Sequence, residues 1–319
     1  MRRRHQFELI QSLRQFFQDK GFLETLTPPL VQNPGMETHV HPFQVSSTKD
    51  KALRPLFLHT SPEFCLKELL SECEREELTN IYSLAYCFRD EPSSPIHRVQ
   101  FLMLEWYRLH ARYETIMDDV EDLITWCLSN TPVTIRPEVK DQKLVRMTME
   151  ELWLETIQRS PLDFLDKREL KTLIQRDFPE VPLPSVELPW DDLFFLLHLN
   201  KVETQLKRWP LLLVNEFPAP LAALSTIKTS DPRVCERFEV YVNGIELCNA
   251  YNELTDVREQ RQRFSQQALE KKQIYGYELP EPTRFLQALE RGLPPASGIA
   301  LGVERLLHSL FEVEDPFFY

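Results

Sequence analysis

Two strand-like runs joined by a charged loop constrain this chain more than any other feature. Residues 80–88, NIYSLAYCF, read as a strand leading into Arg89, Asp90 and Glu91. A polar loop with Pro92 and Pro95 then carries His97 and Arg98, and VQFLMLEWY, 99–107, reads as the returning strand. Alternation puts Phe101, Met103, Glu105 and Tyr107 on one face of that strand and Gln100, Leu102, Leu104 and Trp106 on the other. The first face therefore holds a ring, a carboxylate and a phenol in line. A carboxylate among apolar neighbours is costly unless paired. Either Arg89 or Arg108 holds Glu105 as a structural pair, or this face is a pocket floor where Phe101 stacks on a flat base while Glu105 and Tyr107 meet a cationic ligand.

The rest of the chain supplies what such a hairpin needs around it. Phe7, Ile10, Leu13, Phe16 and Phe17 recur at helical spacing over residues 4–20, with Gly21 as the C-terminal cap. FLETLTPPLV reads as a strand ended by Pro28 and Pro29. PLFLHTSPEFCLKELL reads as a strand to His59, a cap at Thr60 and Ser61, Pro62 in the first turn, and a helix from about Glu63. Residues 111–129 and 256–273 read as helices. Residues 131–209, with amphipathic stretches and a proline-rich break, read as a helical insertion packed on the main sheet. Strands around helices with several hairpins predict an α+β fold, an antiparallel sheet flanked by helices, in one domain over 1–319.

Three further stretches can carry chemistry. In RFEVYVNGIELCNAYNEL, Asn243-Gly244 is a strong hairpin signal. A two-residue loop pairs Val242 with Ile245 and Tyr241 with Glu246, which makes Glu239 and Glu246 diagonal neighbours on one face. They form either an exposed acidic face or a site for a hard cation such as Mg²⁺. Asn249 has the opposite parity and needs a bend or bulge to serve the same site; Asn249 and Glu253 are one helical turn apart. In SGIALGVERLLHSL, Gly298 and Gly302 let the backbone approach a ligand, and Arg305 in the first turns of the next helix suits a polyphosphate, or simply decorates a helix start. Glu63, at its capped helix start, either completes the cap or presents a carboxylate to a ligand amine.

The net charge of −12 and the lack of a long basic run point away from tRNA as a partner, although an acidic protein can carry local basic patches. Six scattered cysteines without a CxxC pair suit reduced thiols in a cytoplasm. No apolar run reaches the roughly 20 residues that span a bilayer, so no membrane partner is expected. The basic start MRRRHQFELI is not followed by an apolar signal core, so no export is expected.

Taken together, a helix and proline-ended strand, FRDE with its return strand FLMLEWY, and SGIALGVERL resemble the three motifs of class II aminoacyl-tRNA synthetases. TSPEF and RFEVYVNGIELCNAYNELTDVREQRQRF resemble the lysyl branch, nearest to its free-standing, protein-modifying relatives. The resemblance spans essentially the whole chain and leaves no room for an anticodon-binding domain.

The resemblance implies ATP and Mg²⁺ as cofactors, (R)-β-lysine or lysine as substrate, a lysine of elongation factor P as acceptor, and a homodimer. It implies that Arg89 holds the α-phosphate and the reacting carboxylate. Glu91, His97, Arg98 and Gly302 contact ATP, Phe101 stacks on adenine, and Arg305 clamps the γ-phosphate. Glu239 and Glu246 hold Mg²⁺. Ser61, Glu63 and Asn249 orient the amino-acid end, and Glu105, Tyr107 and Glu253 receive the side-chain ammonium. Ala300 stands where lysyl-tRNA synthetases carry glycine; its methyl would disfavour α-lysine relative to β-lysine by about 1–3 kcal/mol. Departures from the branch are Ile96 before the loop histidine, the two loop prolines, Gln100 for glutamate and Glu304 for aspartate. Two other readings are a truncated lysyl-tRNA synthetase-like enzyme acylating tRNA or another acceptor, and an inactive paralogue that regulates a partner.

Overall fold

The structure, a computed structural model, describes residues 3–50, 55–73, 76, 78–94 and 96–317, so Pro95 and the first two residues of the basic start lie outside it. Helix α1 (Arg4–Asp19) precedes four short strands, β1 (Leu23–Glu24), β2 (Leu30–Val31), β3 (Gln44–Val45) and β4 (Leu56–Leu58). Helix α2 (Glu63–Cys73), the hairpin β5 (Asn80–Phe88) and β6 (Gln100–Leu109), and α3 (Tyr113–Asn130) follow. Next come β7 (Val145–Thr148), α4 (Met149–Ile157), α5 (Lys167–Asp177), α6 (Trp190–Leu197) and β8 (Leu211–Pro218). The chain ends with the hairpin β9 (Val234–Val242) and β10 (Ile245–Asn252), then α7 (Val257–Tyr275), α8 (Thr283–Gly292), β11 (Ala296–Gly302) and α9 (Val303–Leu310).

Among the described residues, eight strands form one sheet in the order β1-β5-β6-β11-β10-β9-β8-β7, and β2-β4-β3 form a second, small one. Every pair from β5 to β8 is antiparallel. The outermost pairs, β1 on β5 and β7 on β8, are parallel. A parallel pair needs a long crossover, so its partners are distant in sequence and local alternation cannot reveal them.

The alternation expected for β6 divides the molecule. Leu102, Leu104 and Trp106 join Leu9, Leu13, Phe16 and Phe17 of α1 and the buried sides of α3 and α9 in one core. The opposite face is covered by α2, α7 and α8 at one end and by the helices of residues 149–208 over β8 and β9 at the other. The uncovered middle of that face is where a ligand can reach the sheet.

Three local expectations change. Phe7 is 54% exposed, because the buried stripe of α1 follows Leu9, Leu13 and Phe16 instead. The strand ended by Pro28 and Pro29 is shorter than expected. Its ladder stops at Glu24, with one more bond from the Thr25 N–H to the Tyr82 carbonyl (2.7 Å), and Leu30–Val31 pairs with β4 in the other sheet. The segment 131–209 is not helical throughout: it contributes the edge strand β7, and α4 starts on a capping box formed by Thr148 and Glu151.

Candidate active site

A cavity of about 250 Å³ opens over the middle of the sheet. Its floor is built in rows. Glu105 on β6 lies opposite Ala300 on β11, Ala300 opposite Asn249 on β10, and Asn249 opposite Glu239 on β9. The next row is Tyr107, Gly298, Tyr251 and Arg237. A Cβ on Gly298 would lie 2.2 and 2.4 Å from atoms of the Tyr107 ring and 2.9 Å from Glu253 Oε1. Glycine is therefore required there by a neighbouring side chain, not by a ligand. At Gly302 a Cβ would meet only Arg305, at an ordinary 3.6 Å.

Of the residues singled out in the sequence, Ser61, Glu63, Arg89, Glu91, His97, Arg98, Phe101, Glu105, Tyr107, Glu246, Asn249, Glu253, Ala300, Gly302 and Arg305 all line this cavity, and Glu239 does not. Glu239 is buried behind it. Its carboxylate accepts from Arg237 Nη2 at 2.6 Å and from the Tyr241 hydroxyl. It is thus no exposed acidic face, and its two oxygens are already engaged. Glu246, nearly half exposed, does face the cavity, with Oε2 3.5 Å from Arg305 Nη1.

The β9–β10 hairpin explains how Asn249 reaches the floor. Asn243 (φ 51°) and Gly244 (φ 78°) make the two-residue turn, and Val242 pairs with Ile245 and Tyr241 with Glu246. The register then shifts between Glu246 and Cys248, so that Leu247 is the extra residue of a bulge. The bulge reverses the parity and brings Asn249 to the face of Glu246. Asn249 and Glu253 are not a helical turn apart, since β10 stays extended to Asn252. The Asn249 side chain accepts from Arg237 Nε (3.0 Å) and donates to the Tyr251 hydroxyl (2.7 Å).

One end of the cavity is dominated by carboxyl groups. Glu105 accepts from Ser61 Oγ at 2.5 Å and from the Tyr107 hydroxyl at 3.4 Å. Arg108 is committed to Asp119 (2.6 and 2.8 Å) and Arg89 Nε to the Thr60 carbonyl (3.3 Å), so the structural-pair reading of Glu105 falls away. Burial, reinforced by Glu63, pushes Glu105 up to about 8. Lys67, one turn into α2 and buried, bridges Glu63 and Glu253 at 2.5 Å each. Burial alone would lower its pKa; Glu253 and Glu63 more than offset that and keep it protonated. Even with Lys67 beside it, burial pushes Glu253 up to about 7. Glu37, in the loop before β3, also lines the cavity, and desolvation followed by Glu63 raises its pKa. Two carboxyl groups thus share one ammonium, and two more, Glu105 and Glu37, line the same cavity with no ion pair among the described residues. This end is short of positive charge, and a ligand carrying ammonium groups would ionise the carboxyls that burial keeps protonated.

The other end is rich in donors. The Arg89 guanidinium lies 5.2 Å from the Phe101 ring centroid. Arg305, in the first turn of α9, donates to the Glu246 carbonyl at 2.9 Å and contacts His97 Nε2. Arginine can only donate, so Nε2 is the acceptor and His97 is neutral there; burial and then Arg305 lower its pKa. Ser94 Oγ at 3.1 Å from His97 Nδ1, and Arg98 donating to the His97 carbonyl at 3.0 Å while covering the Phe317 ring at 4.4 Å, brace the loop. Glu304 accepts the Leu102 N–H with both oxygens (2.9 and 3.0 Å), which ties α9 to β6. Two arginines and a helix N-terminus facing one space suit a polyphosphate. Sequence reasoning missed Glu37, Lys67 and Arg237. The i,i+4 spacing of Glu63 and Lys67 was the one available signal.

The family described as tRNA synthetases class II (D, K and N) matches residues 2–315. A protein of Hamiltonella defensa subsp. Acyrthosiphon pisum, named elongation factor P–(R)-β-lysine ligase, is 36% identical over 309 residues, covering 94% of this chain and 88% of its own. Proteins of the same name from Erwinia tasmaniensis (35% over 308 residues) and Proteus mirabilis (34% over 311) each cover 96% of this chain and 90% of their own.

Proposed function

Since the chain belongs to the class II tRNA synthetase family (D, K and N), we propose that it is an ATP-dependent ligase that activates (R)-β-lysine and transfers it to a lysine side chain of elongation factor P. The observation that carries this reading is the cavity's lining by four carboxyls, Glu37, Glu63, Glu105 and Glu253, with a single lysine shared by two of them, and by Arg89 and Arg305. Such a cavity matches a diamino acid lying with its ammonium groups among carboxyls and its own carboxylate toward an arginine.

In the first half-reaction the amino-acid carboxylate attacks the α-phosphorus of ATP, forming an acyl-adenylate and releasing pyrophosphate. Two anions must approach each other, and Arg89 sits where their charge builds up. Phe101 stacks on adenine, with Glu91, His97 and Arg98 shaping the loop around ATP and Arg305 holding the γ-phosphate beside Gly302. Ser61, Glu63 and Asn249 orient the amino-acid end, while Glu105, Tyr107 and Glu253 take the side-chain ammonium. Ala300 lies between Glu105 and Asn249 in the cavity floor, and its methyl would disfavour α-lysine relative to β-lysine. In the second half-reaction the acceptor lysine amine attacks the acyl carbonyl, and AMP leaves.

The donors fit a Mg²⁺ held by one carboxylate and phosphate oxygens, with Glu246 in direct reach and Glu239 behind it, engaged by Arg237. When bound, the ion supplies charge neutralisation on the phosphates. Among the described residues, no helix is long and apolar enough to cross a membrane; together with the six free cysteines this supports a cytoplasmic location.

The test is ATP–pyrophosphate exchange with (R)-β-lysine, α-lysine and no amino acid, followed by transfer to purified elongation factor P or to tRNA. Exchange favouring β-lysine and label on elongation factor P is expected. Label on tRNA, or exchange with neither amino acid, would overturn the reading.

A further inference from the structure

No motif of the sequence points to Glu37, yet the loop carrying it is built with care. Lys271 of α7 is buried and spends its ammonium on two backbone carbonyls of this loop, those of Thr38 and Val40, at 2.8 Å each. The Tyr277 hydroxyl lies 2.6 Å from His41 Nδ1. On the other side, Thr60 Oγ1 donates to the Pro34 carbonyl at 2.7 Å. Gly35 has φ 142°, and a Cβ there would lie 2.5 Å from Glu37 Oε2 and 3.1 Å from Thr60 Oγ1. Any side chain at 35 would displace the Glu37 carboxylate from its place beside Thr60. A loop pinned at both ends, with glycine keeping room for one carboxylate in a cavity wall, is preorganised for that carboxylate.

Its place is at the reacting end. Thr60 links the two groups: its carbonyl receives Arg89 Nε at 3.3 Å, and its Oγ1 borders the space that Gly35 leaves for the Glu37 carboxylate. Glu63 and Glu253 already share Lys67, and Glu105 lies deeper, held by Ser61 and Tyr107. Glu37 makes no ion pair with any lysine or arginine among the described residues; Arg89 and Lys271 act on it only at longer range. Its carboxylate is held in the cavity wall by backbone N–H groups of its own loop, those of Met36 and Glu37, and keeps its charge free for a ligand.

Resting on the reading of this cavity as a diamino-acid site, we propose that Glu37 binds the substrate ammonium nearest the reacting carboxylate and thereby selects diamino acids over acids with only a terminal amine. Arg89 would take the carboxylate and Glu37 the amine beside it, while the terminal amine lies at Glu105.

The experiment compares the full-length protein with its Glu37→Gln and Glu37→Asp variants. Three quantities are read: the KM of (R)-β-lysine in pyrophosphate exchange, the KM of ATP, and the inhibition constant of ε-aminocaproate, which keeps the terminal amine and lacks the inner one. Glu37→Gln should raise the amino-acid KM about tenfold to a hundredfold, the scale of a charged hydrogen bond. It should leave the ATP KM and the ε-aminocaproate constant unchanged. Glu37→Asp, which keeps the charge on a shorter stem, should fall between them. An unchanged amino-acid KM, or an equal rise for substrate and ε-aminocaproate, would overturn the proposal while leaving the activity reading intact. If the unmodified protein exchanges with neither β-lysine nor α-lysine, the activity reading fails first and this one falls with it.

Discussion

At the scale of single residues, the cavity is defined by carboxyl groups held away from their ordinary charge state. Burial, then Glu63, places Glu105 at about 8, and burial places Glu253 at about 7. Both are partly protonated at neutral pH in the empty cavity and must ionise to receive an ammonium. Binding of β-lysine at pH 7 should therefore release protons, and the affinity should rise as pH climbs from about 6 to about 8. Calorimetry in buffers of different ionisation enthalpy reads this directly; an enthalpy independent of buffer would refute it. The sign for stability is opposite. A carboxyl whose folded pKa is raised contributes stability that is fully present below its unfolded pKa, near 4.5, and lost as pH rises through the folded value, here about 8. Glu105→Gln still accepts from Ser61 but cannot ionise. It should flatten the fall in stability between about pH 4.5 and 8, and weaken β-lysine binding about tenfold to a hundredfold. Thermal unfolding across that pH range, with binding measured in parallel, checks both.

At the scale of elements, the two hairpins show what sequence can and cannot tell. Alternation along β6 was legible because its two faces meet different surroundings, Leu102, Leu104 and Trp106 in the core and Glu105 and Tyr107 in the cavity. The Asn243-Gly244 turn and its register were legible because only such residues take two positive φ angles at little cost. The bulge at Leu247 was legible only as a need, since the parity of Asn249 demanded one without saying where. The loop of Glu37 and the ammonium of Lys67 were not legible. Their partners, Thr60 and Lys271 for the first and Glu253 for the second, are brought to them only by the tertiary fold. The bulge is open to test by deleting Leu247. With Leu247 gone, Glu246 and Asn249 stand two residues apart, so a regular ladder keeps Asn249 opposite Glu239 and Tyr251 opposite Arg237 on the cavity face. Exchange activity should therefore survive, while the melting temperature should drop because the buried Leu247 side chain is lost from the core; a deletion variant that folds but loses exchange would show that the bulge does more than set the parity. Gly298→Ala is the milder companion. Its methyl meets the Tyr107 ring, and overpacking of this kind costs about 1–3 kcal/mol, read as a lower melting temperature and a higher amino-acid KM.

At the scale of the whole molecule, the architecture expected from hairpins and helices is present, and the family match over residues 2–315 agrees with it. What local pattern could not reach were the two edges of the sheet, because each is closed by a parallel strand from a distant part of the chain. One of those edges bears on assembly. Strand β1 is only two residues long and has no partner on its outer side among the described residues, and the apolar Leu23 (46%), Leu26 (88%) and Leu30 (44%) stand exposed along this stretch. A single exposed leucine needs no explanation, but three within eight residues beside an open edge make a surface that gains by being covered. We expect a homodimer that buries this segment. Each leucine fully covered contributes about 1.5–3 kcal/mol, so placing a charge at the most exposed one should weaken the pair strongly. Leu26→Asp should sediment as a monomer at concentrations where the unmodified protein is a dimer. Because Leu26 is 88% exposed, the variant should keep its secondary structure by circular dichroism. An unmodified protein that sediments as a monomer at tens of micromolar, or a Leu26→Asp variant that stays dimeric, would place the contact elsewhere or remove it.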